Sequence, residues 1–550
     1  MDRIDVKIFK EMLLSGAANL ENHAQEINAM NVFPVPDGDT GTNMSMTFTS
    51  GCNEAVRCSS DSISDVAKAL SKGLLMGARG NSGVITSQIF RGFYQYIEGK
   101  DELDVGDIAG GFENGARVAY KAIMKPVEGT ILTVIREGAW YANNDYKKER
   151  FDLETYMDRM CSYLKESLDH TPDYLPVLKE VGVVDSGGAG LLMIFEGFRE
   201  HVQGRPVVSD GARSKEETNT ASLLESEEYG YCTEFIVRLS EENQKTFEEK
   251  NLKKRLSDMG GESLVVVRDD ELVKVHVHVL KPGDALNIGQ RYGEFIKLKI
   301  ENMKEQHSAL IANEAHEEIV EAVEENIKPK RRYGLIAVAA GDGLSALFDD
   351  LGVDCVISGG QTMNPSTEDF CNRIMELDDC ENIIIFPNNS NIILAAKQAR
   401  DVIDDRNIFI VETKSIQAGV SAVAIFNKDA EMEENMDAMK TMIDNVYPSS
   451  ITYAIKDTSF EGVEVKQGDY IAIADKTIVC SGDDRIKVID RLLDSLLKIE
   501  DKELLTIYKG IDGNDGDLKH IEEYVSSRSR LECDIIDGGQ PVYKYLFSLE

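Results

Sequence analysis

The densest chemistry in this chain lies between residues 31 and 44, in Asn31-Val-Phe-Pro-Val-Pro-Asp37-Gly-Asp39-Thr40-Gly41-Thr42-Asn43-Met. Two prolines stiffen the approach, and Gly38 and Gly41 permit a tight turn that aims both carboxylates the same way. Neighbouring carboxylates repel unless a cation lies between them. Hard oxygen donors on a loop suit Mg²⁺, which keeps some waters and takes further ligands from substrate phosphates. A calcium loop counted from Asp37 fails, because its sixth position is Thr42 instead of Gly and its twelfth is Phe48 instead of Glu. The plain alternative is a solvated turn that caps the following helix.

Three further polar or glycine-rich turns stand before apolar helical stretches. Gly77-Ala-Arg-Gly80-Asn81-Ser82-Gly83 precedes the apolar run from Val84 to Tyr96. Small residues at a helix start leave backbone N–H groups free for phosphate oxygens, aided by the helix dipole, although a lone glycine turn can simply begin a helix. Gly129-Thr130-Ile-Leu-Thr133 and Val184-Asp185-Ser186-Gly187-Gly188-Ala189-Gly190 repeat the arrangement. If the four turns meet at one end of a helical domain, they form a phosphate site. Neither a P-loop pattern nor a kinase-type His-Arg-Asp occurs, so those folds do not account for them.

A different chemistry is available at Val275-His276-Val277-His278-Val279, where strand alternation puts both imidazoles on one face. With a thiolate from Cys232 on a neighbouring strand they would suit Zn²⁺. His307 is a further candidate, and three protein ligands would leave the open position of a catalytic site, or the site is structural. Two histidines on a half-exposed strand face is the commoner arrangement.

These residues need elements to hold them. Up to about residue 202 the apolar period is helical: Phe9, Leu13, Ala17, Leu20, Ala24 and Ile27 make one stripe, and Val66–Leu75 and Leu191–Phe198 repeat the pattern. Residues 209–222 contain almost nothing that could enter a core. Beyond them the period changes to two, predicting strands at Cys232–Leu239, Leu264–Val267 and Leu272–Leu280. After the charged stretch His316–Arg332, apolar runs from 334, 353, 382 and 408 alternate with helical segments, which favours a partly parallel sheet. A hairpin is expected around Gly468-Asp469, then a helix to Leu497. Two motifs are decoys. Gly341-Asp342-Gly343-Leu-Ser-Ala346 imitates a dinucleotide fingerprint but lacks a ribose-binding acid at the expected distance, and Asp512 to Glu523 imitates a calcium loop with Asp517 where Gly is required.

The chain has 550 residues with 60 Lys+Arg against 97 Asp+Glu, a net charge of −37, which argues against nucleic acid or an anionic bilayer as partner. With 42% hydrophobic residues and no long apolar run, it reads as soluble globular protein with no membrane span. The start lacks the apolar core of a secretory signal, and nine cysteines without a C-x-x-C suit reduced thiols, so a cytoplasmic location is expected.

The segment N-V-F-P-V-P-D-G-D-T-G-T-N-M, with G-A-R-G-N-S-G and V-V-D-S-G-G-A-G, resembles the bacterial fatty acid kinase catalytic subunit family, whose N-terminal domain is similar to the nucleotide-binding L-subunit of dihydroxyacetone kinases. The resemblance implies a multidomain chain: an all-α helical barrel over 1–205, a linker at 206–224, a small α+β middle domain over 225–315, a junction at 316–332 and a DegV-like α/β domain over 333–550. It implies ATP, Mg²⁺ and Zn²⁺ as cofactors. Asp37 and Asp39 would hold Mg²⁺, and Cys232, His276 and His278 would hold zinc. Nucleotide contacts would come from Asn31, Thr40, Gly41, Thr42, Asn43, Gly80, Asn81, Ser82, Gly83, Thr130, Asp185 and Gly187. The sugar-kinase relatives place a third aspartate near Asn31, one residue closer to the pair, and this chain departs from them there. The loops Ser358–Thr367 and Asn388–Asn391 resemble DegV-family loops. The implied reaction is phosphorylation of a fatty acid carboxylate held by a separate fatty-acid-binding carrier of the DegV family, by a homodimeric enzyme. A dihydroxyacetone-like kinase and a zinc-stabilised, ATP-sensing lipid-binding regulator are the competing readings.

Overall fold

The computed structural model describes residues 3–302 and 331–550, apart from 33–34, 36–37, 124, 210–230, 241–242, 244–246, 248, 260–261, 270–271, 361–362 and 461. The expected linker at 206–224, from residue 210 onward, the junction at 316–332, up to residue 330, and His307 lie outside the described residues. Two compact units result: Met1–Ser214 with Lys328–Glu550, and Lys215–Ile327.

In the first unit, helices account for nearly all of the N-terminal region: α1 Val6–Asn22, α2 Ala24–Ala29, α3 Thr40–Arg57, α4 Ile63–Met76, α5 Gly80–Ile97, α6 Val105–Ala122, α7 Ile131–Lys148, α8 Leu153–Asp169, α9 Thr171–Tyr174, α10 Pro176–Val181 and α11 Ser186–Val202. The long helices close a ring, with α1 on α3, α3 on α4, and so on through α5, α6, α7, α8 and α11 back to α1. Phe48, Phe90, Phe93, Phe112, Phe195 and Phe198 fill its middle in tilted and edge-on contacts. The single stripe expected from Phe9 to Ile27 is split: α1 ends at His23, whose backbone leaves the helix and whose ring meets the Asn19 carbonyl. Both pieces still bury their apolar residues, so periodicity alone could not show the break.

The C-terminal part of this unit begins with β7 Arg331–Ala339, numbered after β1 Arg3–Ile4, β2 Leu103–Asp104 and four strands of the second unit. Its parallel sheet has the order β10-β9-β7-β8, with β8 Cys355–Ser358, β9 Cys380–Phe386 and β10 Asn407–Ile410. A second sheet of six strands, almost all antiparallel, is ordered β15-β14-β11-β18-β16-β17 and built from Tyr447–Tyr453, Tyr470–Ala474, Thr477–Gly482, Leu504–Lys509, Glu532–Asp537 and Tyr545–Leu549. The expected hairpin is displaced. Gly468, at φ +88°, turns the chain into β14, but β14 pairs with β15 across Asp475-Lys476, while β12 Thr458–Phe460 pairs with β13 Val463–Val465. Asp475 itself adopts φ +53°, a turn geometry that glycine counting misses.

Both decoys have structural explanations. Gly343 begins a helix against the Asp537 carbonyl and Gly341, at φ +113°, meets Gly538, so these glycines permit close backbone packing. Asn514 caps the helix Asp515–Ser526, and Asp517 pairs with Arg485 and accepts from the Tyr545 hydroxyl.

The second unit is a four-stranded antiparallel sheet ordered β4-β5-β3-β6, from Glu262–Asp269, Leu272–Val279, Tyr231–Leu239 and Gly293–Asn302. Val273, Val275, Val277 and Val279 pack on Leu252 and Leu256 of the helix Glu249–Asp258. Among the described residues no helix is long and apolar enough to cross a membrane.

Candidate functional site

Helix α3 starts at the acidic loop, and its first N–H groups must find acceptors. Asp39 occupies the N-cap position without a side-chain cap bond. Asn28 of α2 does the capping instead: its Oδ1 accepts from Gly41 N at 2.8 Å and Thr42 N at 3.2 Å, and its Nδ2 donates to the Thr42 hydroxyl at 2.9 Å. This arrangement needs glycine at 41, where a Cβ would enter the van der Waals shell of the Ala24 carbonyl oxygen. It also releases the Asp39 carboxylate from local capping. Asp39 Oδ2 accepts from Asn364 Nδ2 at 2.7 Å. Asp37 lies outside the described residues.

The four turns do gather. Thr40 at the start of α3 accepts a hydrogen bond from the Ser186 hydroxyl at the start of α11, at 3.3 Å. Gly80, at φ +62°, opens α5 beside buried Asn43, whose Nδ2 would be 2.9 Å from a Cβ there. The hydroxyl of Thr47 accepts from Arg79 N at 3.1 Å and donates to Asn43 O at 2.6 Å, tying α3 to the turn before α5. Asp185 caps α11 through Gly188 N at 2.7 Å. Burial pushes its carboxyl up to about 6, against N–H groups of Gly188, Ile131 and Gly187 that pull it down. A Cβ on Gly187 would lie 3.3 Å from Ile131 Cβ, so α11 and α7 begin side by side. Thr130, at the N-cap of α7, spends its hydroxyl on Val127 O at 2.8 Å. Helices α5, α3, α11 and α7 therefore begin at one end of the ring, where their dipoles favour an anion. Within that group Asp185 caps α11, Thr130 occupies the N-cap position of α7 without a side-chain cap bond, and Asp39, Thr40, Asn43, Gly80, Asn81 and Ser82 surround the α3–α5 junction.

Asn31 is held from the C-terminal part. Lys456 Nζ donates to the carbonyls of Asn31 at 2.6 Å and Ala29 at 2.9 Å, and burial lowers the ammonium's pKa. Asn31, Val35, Asp39 and Thr40 border a cavity of about 1080 Å³. Part of its wall comes from the carboxyl ends of the parallel strands: Gly359 and Gly360 after β8, Pro387 to Asn391 after β9, and Glu412, Lys414 and Ser415 after β10. The strand order reverses direction at β7 and β9, and such switch points are where open α/β sheets bind ligands. Asn388 stands there in a left-handed conformation, φ +58°, with its amide on Val338 O at 2.9 Å and its Oδ1 accepting from Thr413 at 2.7 Å.

In the second unit, the backbone register sets Cys232 of β3 directly opposite His278 of β5, with His276 opposite Glu234. Among the described residues no group of three or more metal-binding side chains assembles, and the side chains of Cys232, His276 and His278 are not among those described.

Sequence reasoning missed Asn28, Thr47, Lys456 and Arg79. Asn364 lies in a loop singled out for its resemblance to another family, with no role attached. A cap supplied from 13 residues upstream and an amide supplied from 325 residues downstream leave no local pattern.

The chain is similar in sequence to known proteins. A family model for the FakA-like C-terminal domain of fatty acid kinases matches residues 334–550, a "DAK2 domain" model matches 34–200, and the model for the FakA-like middle domain matches 228–310. Protein YloV of Bacillus subtilis is 42% identical over 558 residues, covering 100% of this chain and 99% of that protein. An uncharacterized protein of Staphylococcus haemolyticus is 43% identical over 563 residues and 100% of both chains. The solved structure of a fatty-acid-binding DegV family protein from Thermus thermophilus aligns with 40% of this chain and 99% of its own, at 13% identity and a TM-score of 0.32.

Proposed function

The chain belongs to the FakA-like fatty acid kinase family, a kinase-type family with a DAK2 domain at its N-terminal end, and on that premise we propose that it phosphorylates the carboxylate of a fatty acid held by a separate carrier protein, giving an acyl phosphate and ADP. The observation that carries this reading is the position of Asp39. Its carboxylate stands where α3, α5 and α11 begin and borders the large cavity at the strand ends of the α/β domain.

The donor set fits Mg²⁺. Asp39 offers hard carboxylate oxygen, and the Asn364 amide on Oδ2 sets its orientation. Asp39, with Asp37, would hold the ion, which supplies neutralisation of charge on the transferring phosphoryl group. The chain's own contribution is orientation. Backbone N–H groups at Gly80 to Gly83 receive phosphate oxygens, while Asn28 holds those of Gly41 and Thr42 and the Asp39 carbonyl holds that of Asn43. The cavity admits the acceptor from the opposite side. The fatty acid carboxylate oxygen attacks the γ-phosphorus as the bond to the ADP oxygen breaks. No proton needs removal, because a carboxylate is ionised at neutral pH, so no general base is assigned.

Mass spectrometry of the products from ATP, Mg²⁺ and oleate-loaded carrier tests the reading. Acyl phosphate with stoichiometric ADP is expected. ADP formed with dihydroxyacetone instead would make the chain a triose kinase, and ADP with neither acceptor would leave an ATP-sensing regulator.

We further infer that the middle domain holds zinc through Cys232, His276 and His278. Support comes from the backbone register that sets Cys232 and His278 opposite each other on adjacent strands. Elemental analysis of protein expressed in zinc-replete medium should give about one zinc per chain, lost in a Cys232→Ala, His276→Ala double variant. A zinc-free wild-type chain would return the pair to an ordinary strand face. A homodimer is part of the same proposal, measurable by sedimentation.

A further inference from the structure

We propose that Asn364, a side chain of the C-terminal α/β domain, is a positioning residue for the Asp39 carboxylate, so that the cation and nucleotide site of the helical ring is completed from 325 residues away. The inference rests on reading that site as a magnesium–nucleotide site. Asn364 is only 1% exposed, so its amide serves a protein partner and not water. Nδ2 donates to Asp39 Oδ2 at 2.7 Å, and the Asn364 backbone carbonyl accepts from Arg79 Nη1 at 2.7 Å.

The segment around it is fixed from both sides. Arg79 and Ser366 form an isolated antiparallel bridge, Thr367 N donates to Ala78 O at 3.1 Å, and the Arg79 guanidinium stands 3.5 Å from Asp369. Ser366 and Asp369 form a capping box for the helix Thr367–Glu376, so the loop that ends in Asn364 is anchored to a rigid element. On the other side Arg79 N is bonded to Thr47 of α3. The amide also sits against the α5 turn, where Asn364 Nδ2 would be 3.4 Å from a Cβ on Gly80.

Simple docking does not require this arrangement. Ala78 and Val84 already bury themselves against Ile336, Phe370, Ile374 and Ile385 of the α/β domain, an apolar contact that would hold the parts together without an amide on a carboxylate. What the amide adds is a fixed orientation of the Asp39 carboxylate. That is how partners behind a metal ligand set its geometry, and losing one typically costs about 10–100-fold in metal affinity or activity.

The test is a titration of Mg²⁺ against a fluorescent ADP analogue with the full chain. Asn364→Ala should raise the Mg²⁺ concentration for half-maximal nucleotide binding by about tenfold or more. Ile385→Val, which trims the apolar contact with Ala78 and Val84 and leaves the Asn364 loop and its capping box intact, should move it less than twofold. Affinity in EDTA should be alike in all three. Asn364→Leu keeps the branched shape but removes the whole amide, donor and acceptor together, and it gives the same readout if the alanine variant does not fold. Unchanged Mg²⁺ dependence in the Asn364 variants, or an equal shift in Ile385→Val, would overturn the inference in favour of general docking. Wild-type nucleotide binding that ignores Mg²⁺ would overturn the site reading as well. Mg²⁺-dependent binding with no acyl phosphate formed would remove only the acceptor assignment.

Discussion

Asp39→Asn should lower phosphoryl transfer at saturating Mg²⁺ by roughly a thousandfold or more while leaving the thermal transition nearly in place. The magnitude follows from removing the charged metal ligand, since metal stabilisation of the transition state supplies several kcal/mol and each ~1.4 kcal/mol is a factor of ten. The stability expectation comes from geometry. An asparagine oxygen at position 39 can still accept from Asn364 Nδ2, so the buried amide keeps a partner. Asp39→Ala is a different substitution. It strands a donor that is 1% exposed, and such a loss costs about 1–3 kcal/mol. A position on a loop therefore spares folding only in the asparagine variant. Turnover by coupled ADP release, beside a thermal melt, checks both parts. Near-normal turnover in Asp39→Asn would remove Asp39 from the metal site.

Gly41→Ala should be the most damaging single-methyl change in the site. The added carbon would run into the Ala24 carbonyl oxygen, which belongs to backbone and cannot rotate away. Overpacking of this kind costs about 1–3 kcal/mol, and a domain of this size loses about 2–4 °C per kcal/mol. The functional loss should be larger than the melt implies. Pushing α2 from α3 also moves Asn28, and with it the cap on the N–H groups of Gly41 and Thr42. A displacement near 1 Å at reacting groups can cost about a hundredfold in rate. Calorimetry and turnover on the same preparation give the two numbers, and an unchanged melt with normal turnover would show that α2 and α3 separate without cost.

Much of this site was legible because it is local. Pro34, Pro36, Gly38 and Gly41 announce a turn, the apolar run after Gly83 announces a helix, and the period change near residue 230 announces strands. The convergence of four turns could be framed only as a condition, since it depends on ring closure among helices far apart in sequence. The hairpin near Gly468 went astray for a local reason. Both Gly468 and Asp475 take left-handed conformations, and only the first is written in the expected residue type. Asn364 was beyond reach on chemical grounds. An asparagine before Pro365 and Ser366 reads as a turn and helix start, which it also is, and nothing nearby tells of a carboxylate partner in another domain.

The shared apolar contacts between the helical ring and the α/β domain also bear on how the protein is made. Ala78 and Val84 belong to one core with Ile336, Ile383 and Ile385, and Val35 to another with Phe460, Ile471 and Ile473. A ribosome delivers the first members of each set long before the last. At ~5–20 residues per second, the roughly 300 residues between Val84 and Ile385 take on the order of 15–60 s. Throughout that interval the nascent helical ring carries uncovered apolar positions beside its glycine turn. The loop that delivers Asn364 is synthesised in the same late stretch as the strands that cover Ala78. Translation order thus makes the end of the ring where α3, α5, α7 and α11 begin the last part of the helical domain to mature, and a chain released early carries a ring whose Asp39 never meets its amide.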